Sequence, residues 1–310
     1  MDYKKLRIVF MGTPDFAVAS LERLINADCN IVGVVTAPDK PAGRGMHMQE
    51  SAVKKTALAN GLNILQPEKL KSPDFIESLA LLKADIQIVV AFRMLPEIVW
   101  NMPSIGTVNL HGSLLPQYRG AAPINWAIIN GEPYTGVTTF KLKHEIDTGD
   151  ILQSEKILIT EEDTAGTLHD KMKEIGATLL LKTIQNIASG DVKETPQQVL
   201  IENEIKHAPK IYTETCKIDW NNSCTQVNNL IKGLSPYPGA FTYLGDKKLK
   251  VFAAEKELTN PLVPAGMYET DNKSFLKYAC QDGYLKITSL QLEGKKRMQV
   301  SEFLRGYRVI

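Results

Sequence analysis

Long apolar runs are missing from this 310-residue chain. No stretch of about twenty apolar residues occurs, so no segment reads as a membrane span. Cysteine is scarce: Cys29, Cys216, Cys224 and Cys280 make up the full set. None of them is spaced C-x-x-C, which excludes a zinc ribbon or dithiol motif of that spacing and favours reduced thiols over a secreted disulfide framework. The five histidines (His47, His111, His144, His169 and His207) are scattered, and no metal is expected from them. A glycine-rich turn after the first strand is also lacking. Gly12 stands alone before Thr13-Pro14-Asp15, which argues against a nicotinamide-dependent oxidoreductase. Met1 to Lys5 leads straight into an apolar strand without a signal-peptide pattern. The expectation is a cytoplasmic protein with no membrane association, working as a monomer.

A net charge of only +1 gives the whole chain no nucleic-acid signature. Its distribution is uneven. Residues 1–206 hold 21 basic and 25 acidic residues, net −4, whereas 207–310 hold 15 and 10, net +5. A basic second half points to a polyanion-facing surface there. The chain length favours two domains.

Residues 6–11 (LRIVFM), 31–36 (IVGVVT), 63–65 and 85–91 (DIQIVVA) read as buried strands. Helical patterns alternate with them, the first carrying Phe16, Leu21 and Leu24 on one side. Unbroken apolar strands alternating with helices mean a parallel sheet covered on both faces, an α/β doubly wound, Rossmann-like domain. A Pro/Gly-rich loop over 37–49 follows the second strand, with Arg44 between Gly43 and Gly45 at its tip. Thr107 to His111 is strand-like but polar, residues 135–140 and 151–159 alternate as antiparallel strands, and Leu168, Met172, Ile175 and Leu179 mark a long amphipathic helix. Polar, aperiodic sequence over about 190–210 reads as a linker between domains 1–206 and 207–310. Short strands separated by turns in the second domain suit a small β-barrel of OB-like type.

The densest chemistry lies in Asn109-Leu110-His111-Gly112-Ser113-Leu114-Leu115-Pro116. On a strand, Asn109 and His111 share a face. One offers an amide donor, the other an imidazole suited to proton transfer near neutral pH. A strand end of an open parallel sheet is where such sheets hold ligands. Asp147, in Ile146-Asp147-Thr148-Gly149-Asp150, sits in a turn signature able to hold a carboxylate beside that imidazole. Each residue has a plainer reading as well: Asn109 and His111 satisfying backbone groups at a strand end, Asp147 or its rival Asp150 forming a turn.

The run from Asn109 to Pro116, then Tyr118-Arg119-Gly120-Ala121-Ala122-Pro123 and Asp147 to Asp150, resembles the folate-dependent formyltransferases. The opening Met11 to Phe16, the loop Pro38 to Gly45, and the later Lys217 to Trp220 and Leu234 to Pro238 are similar to the branch of that family acting on methionyl-tRNA. The resemblance covers almost the whole chain. It implies 10-formyltetrahydrofolate as cosubstrate and initiator methionyl-tRNA as partner. It implies Asn109, His111 and Asp147 as catalytic residues: Asn109 and His111 on the developing oxyanion, Asp147 orienting His111 and accepting the amine proton. Ser113, Leu114, Leu115 and Pro116 would line the folate site, and Val90, Phe92 and Arg93 its other wall. Arg44 would meet the tRNA acceptor end, while Lys247, Lys248, Lys250, Lys295, Lys296 and Arg297 would grip its backbone.

Two departures from the family pattern stand out. Phe92-Arg93 replaces an expected Tyr-Gly, and Met46-His47-Met48 follows Arg44-Gly45 where lysine is expected. The rival readings are a formyltransferase for an amino sugar, for glycinamide ribonucleotide or for another small amine, a formyl-folate hydrolase, and a non-catalytic tRNA-binding protein.

Overall fold

The structure is a computed structural model that describes residues 1–42, 47–200 and 204–308. Arg44, expected at the loop tip, lies outside the described residues, as does Met46. The chain divides into two compact units, one built from 1–120, 136–157 and 169–207, the other from 121–135, 158–168 and 208–310.

The first unit opens with β1 (Ile8–Gly12), α1 (Asp15–Asn26), β2 (Ile31–Val35), β3 (Lys40–Ala42), β4 (His47–Gln49), α2 (Ala52–Ala59), β5 (Ile64–Leu65), α3 (Pro73–Leu81), β6 (Ile86–Val90), α4 (Glu97–Trp100) and β7 (Gly106–His111). There follow in chain order β8 (Arg119–Gly120), α5 (Pro123–Ile129, a segment of the second unit), β9 (Tyr134–Lys141), β10 (Ile151–Leu158), α6 (Ala165–Ser189) and β11 (His207–Ala208). Seven strands form one sheet in the order β10-β9-β7-β6-β1-β2-β5. The pairs β1–β2, β1–β6, β2–β5 and β6–β7 are parallel, and β9 runs antiparallel to β7. Every residue of β1 and β6 is buried, the mark of strands covered on both faces. One face packs Val9, Met11, Val35, Leu79, Val89 and Val99 together. Each such side chain contributes roughly 1.5–3 kcal/mol by leaving water. The strand order reverses between β1 and β6, so the carboxyl ends of those two strands flank the crevice where such sheets bind ligands, with β7 as the next strand along.

The 37–49 connection, expected as a loop, has a built stem. Lys40 pairs with Gln49 and Pro41 with Met48, antiparallel. Its root is tied down as well. Asp39 accepts from Lys54 and, at 2.9 Å, from the Gln66 amide. Those two bonds hold the Asp39 carboxyl below its ordinary range. Periodicity could not reveal a ribbon of three residues per strand.

In the second unit, β12 (Ala240–Leu244), β13 (Lys247–Glu257), β14 (Tyr268–Thr270), β15 (Leu276–Ala279), β16 (Tyr284–Leu292) and β17 (Met298–Gln299) form an antiparallel sheet. The order is β12-β13-β16-β15-β14, with β17 beside β16. The register slips at Val251–Ala253 and Ala253–Ala254. Such bulges bend a strand and curl the sheet, giving an open half-barrel rather than a closed one. The helix Cys224–Gly233 starts on a capping box, Ser223 with Gln226, as the Ser-x-x-Gln spacing requires. Trp220 stacks on Tyr278 at 4.6 Å within the unit's core. All four cysteines are free thiols, and among the described residues no helix is long and apolar enough to cross a membrane.

Candidate active site

Strand β7 carries two of the three expected catalytic residues to the carboxyl edge of the sheet. Val89 is level with Asn109 and Val90 with Leu110, so the ends of β6 and β7 stand side by side. Across the other edge His111 pairs with Thr138 of β9. The Asn109 side chain is half-buried and has no hydrogen-bond partner among the described residues. His111 is buried and its ring packs edge-on to Phe140.

One ring nitrogen of His111 is committed. Nε2 lies 2.9 Å from the Tyr118 carbonyl oxygen. A carbonyl only accepts, so Nε2 carries the hydrogen and Nδ1 of the neutral ring keeps its lone pair. That nitrogen faces Asp147 Oδ2 at 3.9 Å. The structure thus brings these two expected residues to within 3.9 Å, although they are 36 residues apart in the chain.

Asp147 is held by its backbone as much as by its carboxylate. Its φ of +53° lies in the left-handed region, where Asp is one of the few tolerated side chains. Oδ2 accepts from the Gly120 N–H at 3.0 Å. Gly149 permits the turn to close: a Cβ there would overlap the Lys141 carbonyl oxygen.

Residues 113–116 make a braced turn. Ser113 Oγ donates to the Gln117 carbonyl at 2.6 Å, and Thr138 Oγ1 donates to the Ser113 carbonyl at 2.6 Å. Leu115 packs with Phe140 and Ile151, and Pro116 is buried. The Ser113 hydroxyl therefore works on the turn itself. Leu114 remains half-buried.

Past β6, Val90 is fully buried and Phe92 packs on the core of that face. Arg93 turns back over the Phe92 ring at 5.5 Å and donates to the carbonyls of Glu68, at 2.8 Å, and of Pro67. The unexpected arginine thus clamps the segment following β5.

Sequence reading missed Gln197, placed in a polar linker but buried against Arg119 and the Asp147 turn. Its one signal would have been a helical start after Pro196, which a window of four residues is too short to reveal.

The six basic residues expected on tRNA occupy the second unit. Tyr243 and Lys248 are paired across β12–β13, as are Phe241 and Lys250. Lys248 Nζ sits 4.3 Å above the Phe241 ring, and the Arg297 guanidinium 4.5 Å above Phe252. The Lys248 N–H and carbonyl both bond to Glu293, which brings the 295–297 cluster to the same end of the sheet as 247–250. Lys250 Nζ donates to the Pro238 carbonyl, while Lys247, Lys295 and Lys296 are exposed.

The model of the family described as formyl transferase matches residues 6–184, and that described as formyl transferase, C-terminal domain, matches 210–308. A methionyl-tRNA formyltransferase of Bacteroides fragilis is 52% identical, covering 99% of this chain and 97% of the relative. This chain belongs to the methionyl-tRNA formyltransferase family. A member from Phocaeicola vulgatus is 55% identical, over 99% and 98% of the two chains. Among solved structures, WlaRD, a sugar 3N-formyl transferase crystallised in the presence of dTDP and 5-N-formyl-THF, superposes with a TM-score of 0.67. It is 20% identical, with 94% of this chain and 99% of that one covered, so the likeness is one of fold.

Proposed function

We propose that the protein transfers the formyl group of 10-formyltetrahydrofolate to the amino group of methionine carried on initiator tRNA. The observation that carries this reading is the convergence of two acceptors, His111 Nδ1 and Asp147 Oδ2, beside an amide without a partner. Two acceptors have no hydrogen to share, and at 3.9 Å these two stand apart. They suit an N–H donor lying between them, which is what an attacking amine presents.

The residues then divide the work. His111 and Asp147 draw the proton from the amine as its nitrogen bonds to the formyl carbon. The Asn109 amide donates to the formyl oxygen, where negative charge grows. The Tyr118 carbonyl keeps His111 in the Nε2–H form, leaving Nδ1 able to take the proton and pass it toward N10 of the folate as the C–N10 bond breaks. The residues suit a folate: the apolar end of β6 at Val90 and Phe92 lies on one side of the polar edge of β7, and the 113–116 turn, with half-buried Leu114, follows directly from that edge. Ser113, Leu115 and Pro116 shape that wall through the turn, and Arg93 shapes the opposite wall by fixing residues 67 and 68.

On the second unit, aromatic rings interleaved with Lys247, Lys248, Lys250, Lys295, Lys296 and Arg297 form a surface suited to phosphates. Arg44 serves the acceptor end. The protein acts as a monomer in the cytoplasm, where charged tRNA is found. Incubation with 10-formyltetrahydrofolate and charged initiator tRNA should yield formylmethionyl-tRNA. Formylation of an amino sugar or glycinamide ribonucleotide instead would overturn the choice of acceptor.

A further inference from the structure

One buried polar side chain has no part in that scheme. Gln197 begins the short 3-10 turn Gln197–Leu200 and is 2% exposed. Its Nε2 donates to the main-chain oxygens of Asp147 and Gly149, each at 2.8 Å. Its Oε1 accepts from Arg119 Nε at 3.0 Å and Nη2 at 2.6 Å. A primary amide has two N–H donors and two oxygen lone pairs, and all four are used.

The two groups that Gln197 joins are the two supports of the His111–Asp147 pair. Arg119 lies between Tyr118, whose carbonyl holds His111 Nε2, and Gly120, whose N–H holds Asp147 Oδ2. On the other side stands the 147–149 turn, entered through the left-handed φ of Asp147. A non-glycine residue in that region persists where surrounding structure over-determines it. Gln197 supplies two of those constraints.

We propose that Gln197 is a positioning residue for formyl transfer, clasping the Arg119 guanidinium to the Asp147–Gly149 turn so that the Asp147 carboxylate stays opposite His111 Nδ1. The proposal rests on the reading of His111 and Asp147 as the proton-handling pair. It also explains why an amide is needed. Glutamate would keep Arg119 but set a carboxylate oxygen against two carbonyls. Leucine would leave the guanidinium and both carbonyls unpaired in a buried place.

The test uses the full chain and steady-state formylation of methionyl-tRNA by wild type, Gln197→Leu and Gln197→Glu. Misplacing a catalytic group by about 1 Å costs on the order of 10²-fold. The expected result is therefore a kcat reduced roughly 10- to 100-fold, with KM for folate and for tRNA within about twofold of wild type. In an Asp147→Asn background the Gln197 substitution should lower kcat by less than about twofold, since residues acting through one another are non-additive. Ring 15N shifts of His111 at alkaline pH should show the Nε2–H form in wild type and a tautomer mixture in Gln197→Leu. Should the leucine variant fail to fold, Gln197→Glu, which keeps volume and the Arg119 pairing, carries the same measurements. An unchanged kcat in a folded variant, or a full multiplicative loss in the Asp147→Asn background, overturns the clasp. Absence of formylation by wild type would instead overturn the assigned reaction, so the two failures are distinct.

Discussion

His111 and Asp147 meet across 3.9 Å, Nδ1 to Oδ2, while the opposite ring nitrogen is anchored 2.9 Å from the Tyr118 carbonyl. That asymmetry sets the roles. The anchored nitrogen fixes the ring; the other faces a carboxylate with room for a donor between them.

Substitutions at the strand edge should separate binding from chemistry. Asn109 has no structural bond to lose among the described residues, so Asn109→Ala should fold normally. Removing an oxyanion donor lowers kcat by roughly 10²–10³, and KM should change little. A stopped-flow or steady-state comparison decides it. An Asn109→Ala enzyme with wild-type kcat and a raised KM would show the amide binding ground-state substrate instead.

Much of this was legible before any coordinates. Strands such as β1 and β6 announce themselves because their apolar run is nearly unbroken, Gln87 apart, and both faces are covered. The period of two in β7 put Asn109 and His111 on one face. The contact between His111 and Asp147 was legible only through resemblance, since it depends on β9 folding back and on a turn of unusual φ. Gln197 and the Arg93 clamp were not legible at all. Both act through main-chain carbonyls, and backbone acceptors leave no mark in a sequence.

The Asp147 turn should be intolerant at Gly149. An added Cβ would run into the Lys141 main-chain oxygen, and a backbone atom cannot swing aside as a side-chain tip can. Gly149→Ala should therefore shift β9 or the turn, costing on the order of 1–3 kcal/mol as overpacking does. Urea unfolding measures the loss. Because Asp147 moves with the turn, activity per folded molecule should fall as well. A variant of wild-type stability and activity would mean that the turn relaxes freely.

Arg93 makes a different kind of prediction. Its guanidinium bonds to carbonyls at residues 67 and 68 and covers Phe92, so Arg93→Ala frees a segment rather than a reacting atom. KM for the folate should rise several-fold with kcat nearly unchanged, the pattern of lost uniform binding. Amide hydrogen exchange should quicken at Gln66, Glu68 and Lys69, the amide-bearing neighbours of Pro67. Unaltered exchange there would deny the clamp, whatever the kinetics.

The basic surface of the second unit should reveal itself through salt. Lys295 and Lys296 are exposed and have no ion-pair partners among the described residues, so Lys295→Ala and Lys296→Ala should leave stability within about 0.5 kcal/mol. If each meets a phosphate, KM for tRNA rises and the slope of log KM against log salt falls by roughly one for each contact removed. KM for the folate should not move. Lys248→Ala differs, because its ammonium lies on the Phe241 ring. Losing that contact removes about 0.5–1 kcal/mol of stability along with any tRNA contact, so its two effects must be measured separately. Equal salt slopes in wild type and in the double variant of Lys295 and Lys296 would place the tRNA backbone on some other face.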